Sequence, residues 1–365
     1  MYTFLEHIAL DFVLMIFASM MLIDISGFFR TKTRNSDRKP AAYSPKTLVI
    51  IPCKGDDYSL LDNLLSVKKQ DYPYYSIICV VDNSIDPALK YIRKAGLKYI
   101  ISSSDCLNCS GKVRAISTAL EKFTDYDVYV IADSDVEMAK GWLSGLVMRL
   151  HDKRVGISTS YPYFMHVGGF WSKVKSVWGL VGEGLMESEH TRFGWGGSLA
   201  FRKELLSGST TSFKNSVYSV SDDISLTKIS GQKGLKISYV SSSRPVVKTD
   251  DNFSKFTEWA NRQTALSIIG NRKNLYFGIA FYLSEAILLV SGISLSILVS
   301  PIFLLLLVHY ARSFAVILKR SRQKGAYLIP ISIMMPFLYL YNLLHARGMK
   351  SIEWRGSVYR LPVKH

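Results

Sequence analysis

Cysteine is scarce in this chain of 365 residues, which contains only four, at positions 53, 79, 106 and 109. Cys53 and Cys79 fall in apolar runs that predict strands, where cysteine acts as a small buried hydrophobic residue. Cys106 and Cys109 have the spacing of a metal-binding or redox pair, but no second pair lies nearby to complete a zinc site. The cysteines therefore do not indicate a zinc protein or an oxidising compartment.

Acidic residues are also outnumbered, with 29 aspartates and glutamates against 45 lysines and arginines, for a formal net charge of +16. The surplus would suit nucleic acid, but no nucleic-acid-binding signature accompanies it, and we expect no such partner. Hydrophobic residues make up 48% of the chain and are concentrated near residues 8 to 29 and after residue 275. A basic and apolar chain is typical of a protein on the anionic face of a lipid bilayer.

The first apolar segment, from Ile8 to Phe29, is long enough to cross a bilayer. It lacks a basic start and a small-residue cleavage site, so we expect residues 1–30 to be a retained anchor. A basic linker follows at 31–44. Because positive residues stay in the cytoplasm, the chain after the anchor is expected to be cytoplasmic.

Further apolar segments follow an expected interfacial helix at 253–275. Residues 276–320 predict a transmembrane hairpin that returns to the cytoplasm at a basic loop. Crossing by the last apolar segment, 326–345, would carry five basic residues outside, and the segment contains Pro330 and Pro336. We therefore expect 321–365 to hold the basic loop, a re-entrant or interfacial helix and a cytoplasmic C-terminal tail.

Residues 45–252 alternate apolar strands with amphipathic helices, which predicts an α/β domain with a mostly parallel sheet wound with helices. Two of its strands end in aspartate, at Asp82 and at Asp133-Ser134-Asp135. Ligands of such sheets bind beyond the carboxyl ends of the strands. Two carboxylates one residue apart suit Mg²⁺ or Mn²⁺, although a turn that caps the next helix is the alternative.

Four other charged residues complete a candidate site for a nucleoside diphosphate. Asp82 is placed to accept hydrogen bonds from a base or ribose, and Lys112 to meet a diphosphate at a helix start. Asp223 is placed to act as a general base and Arg262 to bind the diphosphate. Each also has a structural alternative. Asp82 is alternatively a turn residue and Lys112 a solvated charge. Asp223 is alternatively a helix N-cap and Arg262 a lipid headgroup contact.

The order of these motifs resembles the membrane-bound family 2 and family 21 glycosyltransferases, most closely the ceramide glucosyltransferase group and its prokaryotic relatives. The resemblance runs from about Leu48 to Arg262 and returns in the C-terminal Trp-Arg-x-Gly-type tail. The matching segments are Pro52-Cys53-Lys54-Gly55, Asn63-Leu64, Gln70-Asp71-Tyr72-Pro73, Cys79-Val80-Val81-Asp82, Asp86-Pro87-Ala88, Gly111-Lys112, Asp133-Ser134-Asp135, Asp222-Asp223, Ile352-Glu353-Trp354-Arg355-Gly356 and Tyr359-Arg360-Leu361.

The resemblance implies a catalytic domain with the GT-A type fold and a metal-dependent, inverting transfer of a sugar from a nucleotide sugar such as UDP-glucose. It assigns the metal to Asp133 and Asp135 and the catalytic step to Asp222, Asp223 and Arg262, with Asp223 as the base. The donor-binding residues it implies are Pro52, Lys54, Gly55, Asp82, Lys112, Asp133, Ser134, Arg262 and Gln263.

One departure from the family pattern bears on the product. The family's Gln/Arg-x-x-Arg-Trp motif is present here as Trp259-Ala260-Asn261-Arg262-Gln263, so the arginine is kept and the final tryptophan is not. In polymer-making relatives that tryptophan contacts the growing chain. Its absence, with about three membrane spans, predicts an enzyme that is not processive.

A hydroxyl-bearing membrane lipid is the expected acceptor, with Trp195, Gly196, Trp259 and Glu285 as candidate contacts. Glu285 lies in an apolar span, where a carboxylate often marks a pathway or a partner. It is expected to meet the acceptor headgroup, to pair with Arg312, or to lie neutral between helices. Transfer to polyprenyl phosphate and a catalytically inactive nucleotide-binding scaffold remain as alternative functions.

Overall fold

The computed structural model describes residues 2–30, 43–57, 59–106, 109–208, 210–215, 219–354 and 356–361, with backbone only at 2–8, 27–30 and 210–212. The predicted linker at 31–44 lies outside the described residues except for 43 and 44. The chain forms two compact units. The sheet unit comprises Asp37–Val167, Val181–Asp250 and Lys350–His365; the helical unit comprises Met1–Ser36, Gly168–Leu180 and Asp251–Met349.

The regular elements follow one another along the chain in an order that matches the predicted alternation from residue 45 onwards. They are α1 (Tyr2–Arg30), β1 (Thr47–Pro52), α2 (Leu60–Lys68), β2 (Tyr75–Val81), α3 (Ala88–Lys94), β3 (Lys98–Ile101), α4 (Gly111–Lys122), β4 (Val128–Ala132), α5 (Trp142–Arg149), β5 (Val155–Thr159), β6 (Tyr163–His166), α6 (Phe170–Trp178), α7 (Leu180–Glu187), β7 (Ser198–Arg202), α8 (Thr210–Asn215), α9 (Asp222–Gln232), β8 (Lys236–Tyr239), β9 (Val246–Thr249), α10 (Phe253–Gly270), α11 (Lys273–Leu298), α12 (Val308–Arg320), α13 (Leu328–Gly348), β10 (Ser351–Trp354) and β11 (Ser357–Arg360).

The sheet unit is built on seven strands in the order β3-β2-β1-β4-β7-β5-β8. Strands β3, β2, β1 and β4 are parallel neighbours, as are β5 and β8, whereas β7 runs antiparallel to β4 and β5. The mostly parallel sheet is therefore confirmed. Since β1, β2 and β4 are adjacent and parallel, their carboxyl ends lie side by side at one edge.

Strand alternation places the core on both faces of the sheet. In β1, Val49 and Ile51 pack with helices α2, α3 and α5, whereas Leu48 and Ile50 pack with α4 and α9 on the other face. All five residues of β4 are buried, as predicted for a continuously apolar strand. Because helices cover both faces of these strands, a ligand can reach them at the edge beyond their ends.

The four cysteines form two pairs, and the sequence predicted only the burial of Cys53 and Cys79. Cys53 and Cys79 are buried and not disulfide-bonded. Cys106 and Cys109 are disulfide-bonded to each other, with their Cα atoms 5.8 Å apart. The second pair precedes α4 in the sheet unit.

Residues 163–190 contain a strand and two helices. Strand β6 pairs in parallel with β9, and helices α6 and α7 follow.

In the described part of the chain, four helical segments are long and apolar enough to cross a membrane. These are Ala9–Ser26, Lys273–Leu298, Pro301–Arg320 and Leu328–Gly348. The third begins with a 3₁₀ turn at Pro301–Leu307 before α12. The fourth is one continuous helix despite Pro336, so its length alone does not separate a crossing from the re-entrant arrangement that we predict.

Within the helical unit, α13 is joined to α6 and α10 by buried polar contacts. Asn342 on α13 donates to Asn261 on α10 at 2.7 Å and accepts from the indole nitrogen of Trp178 on α6 at 3.0 Å. The hydroxyl of Tyr339 donates to the Trp178 carbonyl at 2.8 Å. These bonds give α13 a polar, protein-facing side.

A buried polar cluster joins α1, α11 and α12. The ring of His309 lies between Asp24 and Glu285, with Nδ1–Oδ2 and Nε2–Oε1 distances of 2.8 and 3.0 Å. Arg312 pairs with Asp24, and the Ser313 hydroxyl donates to Glu285 at 3.3 Å. The predicted pairing of Glu285 with Arg312 is therefore wrong, because the arginine is held by the carboxylate of α1 instead.

Candidate active site

The carboxyl ends of β1, β2 and β4 open into one pocket of the sheet unit, with about 600 Å³ of empty volume. Its walls come from these three strand ends, from the start of α4 and from the C-terminal hairpin of β10 and β11. The lining residues are Pro52, Cys53, Lys54, Val80, Asp82, Gly111, Lys112, Ala115, Asp133, Ser134, Asp135, Trp354 and Tyr359. Seven of the predicted site residues therefore meet here.

The turn after β1 places a cation beside the aspartate that follows β2. Lys54 lies 3.1 Å from Asp82, and both side chains are partly exposed to the pocket. Gly55 has φ of +81°, a conformation that favours glycine. Its N–H donates to the buried Asp86 at 2.9 Å, so Gly55 shapes the turn rather than lining the pocket.

Lys112, at the start of α4, joins acidic residues from distant parts of the chain. Its Nζ lies 2.6 Å from Asp133 Oδ1, after β4, and 3.1 Å from Asp222 Oδ1, at the start of α9. The lysine side chain is only 9% exposed. A buried cation of this kind is retained because the carboxylates around it neutralise its charge.

The same network shifts the pKa values of its members. Burial alone would lower the pKa of Lys112, but the charges of Asp133 and Asp222 outweigh it and raise that pKa, so the ammonium stays charged. Burial raises the pKa of Asp222 to about 6, with Asp223 and Asp133 adding to the effect and Lys112 opposing it. Perturbed groups of this kind cluster at functional sites.

The Asp133-Ser134-Asp135 turn is held from below by α2. Buried Asn63 donates from its amide to the Ser134 carbonyl at 3.0 Å. The backbone N–H of Asp133 donates to the Gly197 carbonyl at 3.2 Å. Both bonds fix the backbone that presents Asp133 and Asp135 to the pocket.

The donor set at this turn fits a hard divalent cation. No group of three or more His, Cys, Asp or Glu side chains among the described residues is arranged to hold a metal. Mg²⁺ commonly takes only one or two protein carboxylates and completes its coordination with substrate phosphates and water. Asp133 and Asp135 supply that number, and Asp222 Oδ2, which is buried without a hydrogen-bond partner in the described structure, adds unsatisfied negative charge nearby.

Gly196 lies directly against the lysine network. A Cβ at this position would fall 2.5 Å from Asp222 Oδ2 and 2.8 Å from Lys112 Nζ. Any side chain would therefore displace the charges that meet here. The sequence predicts Gly196 as an acceptor contact. In the structure, the absence of a side chain at Gly196 allows its backbone to lie close to Asp222 and Lys112.

The two aspartates at the start of α9 have different environments. Asp222 is buried and bound to Lys112. Asp223 is half-buried, and its Oδ1 accepts from the Ser221 hydroxyl and from the Ile224 N–H, the latter at 2.7 Å. Asp222 therefore holds the lysine, and Asp223 is the more accessible carboxylate.

A sequence-family model matches nearly the whole chain. Residues 12–365 match the sequence model described as glycosyl transferase family 21. The chain belongs to glycosyl transferase family 21. This family 21 protein is a glycosyltransferase, as the resemblance predicted.

A solved glycosyltransferase structure confirms the predicted GT-A type fold. A mannosyltransferase from Pyrobaculum calidifontis, in complex with GDP-Man and Mn²⁺, is similar with a TM-score of 0.56 and 18% identity, covering 94% of this chain and 99% of that one. A glucosyl-3-phosphoglycerate synthase from Mycobacterium tuberculosis, in complex with phosphoglyceric acid, has a TM-score of 0.44 and 16% identity, covering 62% of this chain and 80% of that one.

Four predicted site residues of this family 21 enzyme belong to the helical unit. Arg262 and Gln263 lie on α10, where Arg262 forms an ion pair with Glu258 at 3.3 Å. Trp259 packs edge-on against Trp178, and Lys175 lies 4.7 Å from its ring centre. Glu285 belongs to the buried cluster around His309. Their roles toward donor and acceptor stay predictions.

Trp195, the remaining predicted acceptor contact, lies in the sheet unit just before Gly196. Its ring packs edge-on against Tyr161, with centroids 6.1 Å apart, and its backbone N–H donates to the Thr159 hydroxyl at 3.0 Å. It is half-buried. The residue is thus anchored in the core beside the lysine network.

Four residues of the sheet unit were not assigned a role from the sequence, and two of them line the pocket. Asn63 and Gln70 fall in segments that match the family. Asn63 supports the Asp-Ser-Asp turn. Buried Gln70 accepts a hydrogen bond from the Leu143 N–H at 3.0 Å. Trp354 and Tyr359 belong to the matching C-terminal tail and line the pocket. The match of the C-terminal tail to the family indicated that these two residues matter. The motif alone does not reveal that the tail packs against the pocket.

Proposed function

We propose that this enzyme transfers a hexose, with inversion at the anomeric carbon, from a nucleoside-diphosphate sugar to a hydroxyl-bearing membrane lipid. The observation that carries the proposal is the meeting of Asp82, Lys112, Asp133 and Asp135 in one pocket beyond adjacent strand ends. Such an edge is where α/β sheets bind nucleotides. The donor is a UDP-hexose, UDP-glucose or a similar sugar nucleotide.

Different charged residues of the pocket bind different parts of the donor in this proposal. Asp82 with Lys54 faces the nucleoside, and Lys112 faces the diphosphate. Mg²⁺ or Mn²⁺, held by Asp133 and Asp135, would neutralise the charge that develops on the leaving diphosphate. The solved mannosyltransferase of similar fold contains Mn²⁺ with its sugar nucleotide, which supports this assignment.

Asp223 is the proposed general base. It removes the proton of the acceptor hydroxyl as that oxygen attacks the anomeric carbon and the nucleoside diphosphate leaves. An inverting transfer needs one base and no covalent intermediate, and only one of the two α9 carboxylates is accessible. Asp222 instead keeps Lys112 in place, and Arg262 is proposed to bind the diphosphate.

The proposed acceptor class is inferred from the long apolar helices of the helical unit. Four helices of membrane-spanning length in the described residues favour a lipid acceptor and an integral membrane enzyme with a cytoplasmic catalytic unit. The loss of the tryptophan from the Arg262 motif favours a single transfer rather than polymer synthesis. Glycolipid formation is the expected outcome.

The first experiment identifies the product. Purified enzyme is incubated with a panel of UDP and GDP sugars, a total lipid extract and Mn²⁺ or Mg²⁺, and new lipids are analysed by mass spectrometry. We expect a hexosyl lipid from a UDP sugar, and none when a chelator removes the metal. Absence of any glycosylated lipid across the panel would overturn the proposed acceptor class.

The second experiment tests the base. Asp223→Asn should lower transfer at least about 100-fold, the low end of what a general base contributes, while calorimetry finds nucleotide affinity near that of the wild type. Asp125→Asn, at a carboxylate 91% exposed, is the matched control. Wild-type turnover by Asp223→Asn, or a sugar–polyprenyl phosphate made equally by both proteins, would contradict the role of Asp223.

A further inference from the structure

The C-terminal hairpin has one face toward the donor pocket and one toward solvent. Its strands pair in antiparallel register with Ile352 opposite Tyr359 and Trp354 opposite Ser357. Opposed residues of such a pair share a face, so Ile352, Trp354 and Tyr359 lie on the same side. Ile352 is buried there, whereas Val358, on the other face, is 69% exposed.

The inner face of the hairpin contacts the start of α4. The Gly111 N–H donates to the Tyr359 hydroxyl at 3.2 Å, and the Trp354 ring centre lies 6.0 Å from Lys112 Nζ. A Cβ at Gly111 would lie within 4 Å of both the Tyr359 hydroxyl and the Asp82 carboxylate. Tyr359 is therefore near the Asp82 side of the pocket and Trp354 near the Lys112 side.

The helix start is consequently not an open anion site. The first N–H of α4 is bound by Tyr359, and the third, that of Val113, is bound by the Ser110 hydroxyl at 3.2 Å. The sequence predicted that Lys112, aided by the positive end of this helix, would meet the diphosphate. With these amides bonded to side chains, the hairpin itself becomes part of the surface that a diphosphate meets.

We propose that the C-terminal hairpin is a wall of the donor site that closes over the nucleoside diphosphate. The indole of Trp354 covers the diphosphate beside Lys112 and keeps water from it, which strengthens the charge interactions there. Tyr359 is a positioning residue, because its hydroxyl fixes the Gly111 amide and thus the start of the helix that carries Lys112. The inference rests on the proposed function, since it names a further part of the same site.

The test uses the full-length enzyme in detergent. Affinity for UDP and for GDP, each with Mn²⁺, is measured by calorimetry for the wild type and for Trp354→Ala, Trp354→Phe, Tyr359→Phe and Val358→Ala. We expect a dissociation constant at least tenfold higher in Trp354→Ala, partial recovery in Trp354→Phe, and about a threefold increase in Tyr359→Phe. Val358→Ala, whose side chain faces away, should bind as the wild type does.

A second measurement separates donor contact from a structural effect on the fold. Hydrogen exchange of the backbone amides at 351–354 and 357–360 should slow at least tenfold in the wild type when nucleotide and Mn²⁺ are added, and Trp354→Ala should reduce that protection. Wild-type affinity in every variant, with hairpin exchange unchanged by nucleotide, would overturn the proposal while leaving the proposed function intact. Failure of the wild type to bind either nucleotide would overturn both.

Discussion

At the scale of single residues, Lys112 organises the acidic side chains of the pocket. The sequence places Asp133 and Asp222 in separate segments, each with negative charge that would repel the other at close range. Lys112 lies between them at 2.6 and 3.1 Å. Truncation of a buried charge partner of this kind leaves an uncompensated charge and is strongly destabilising, so the lysine supports the local fold as well as the proposed diphosphate site.

Gly196 offers the most selective test of this network. Gly196→Ala would place a methyl group 2.5 Å from Asp222 Oδ2 and 2.8 Å from Lys112 Nζ, which should separate the two charges. We expect at least a tenfold loss of affinity for nucleoside diphosphate and Mn²⁺, measured by calorimetry.

Gly231→Ala is the control for that substitution, because a Cβ there meets no atom of the described residues within 4 Å. Gly231 also lies on α9, the helix that begins with Asp222. Its affinity should equal that of the wild type. If Gly196→Ala also bound normally, the close packing of Gly196 against Lys112 would not matter for the donor site.

At the scale of elements, buried polar contacts connect helices that hydrophobic packing alone would leave free to slide. His309 on α12 binds carboxylates on both α1 and α11, and Arg312, one turn later, also binds Asp24. Polar groups in an apolar environment are stable only when they are paired. The cluster thus fixes how these three helices pack within the helical unit.

His309→Leu should therefore destabilise the helical unit. The substitution leaves Asp24 and Glu285 without their shared partner, and breaking a buried pair typically costs about 3–5 kcal/mol. We expect the thermal unfolding midpoint in detergent to fall by several degrees. His345→Leu, at an exposed histidine of α13, should melt close to the wild type; an equal midpoint for both variants would show that the cluster is not stabilising.

At the scale of the whole molecule, the two ends of the helical segment 251–349 return to the same unit. Residues 181–250 and the hairpin at 351–360 both belong to the sheet unit, and the hairpin is bonded to α4. With the sheet unit on one side of the bilayer, as predicted, we expect the intervening chain to cross an even number of times. Of α11, the Pro301–Arg320 segment and α13, we therefore expect at most two to cross completely.

The segment most suited to remain on one side is α13. Its polar contacts to α6 and α10 within the helical unit support the predicted re-entrant or interfacial arrangement. We expect a C-terminal tag in sealed, right-side-out vesicles to be protected from added protease and to be cleaved after permeabilisation.

An N-terminal tag is the matched reference in that experiment, because the predicted orientation of α1 exposes it outside. Cleavage of the C-terminal tag in intact vesicles would contradict a cytoplasmic tail and, with it, the even number of crossings.

The elements that carry the site could be predicted from the sequence because local patterns determine them. The apolar run Val128–Ala132 predicts a strand buried on both faces, and the aspartates that follow it must then lie at the sheet edge. Asp82 follows by the same reasoning from β2. The helices of membrane-spanning length near the N-terminus and after residue 275 were also predictable, because length and apolarity are local properties of the sequence.

Only the tertiary structure decided which distant segments meet. The contact between Gly111 and Tyr359 joins residues 248 positions apart. The Lys112–Asp222 ion pair and the close packing of Gly196 against it likewise depend on how loops and helices pack. Charges and small residues carry no local periodicity that identifies a partner. The sequence therefore left Arg312 as one of three alternatives for Glu285, whereas packing pairs Arg312 with Asp24. The sequence by itself determined which side chains reach the strand ends; packing over long separations decided how they neutralise one another and what covers them.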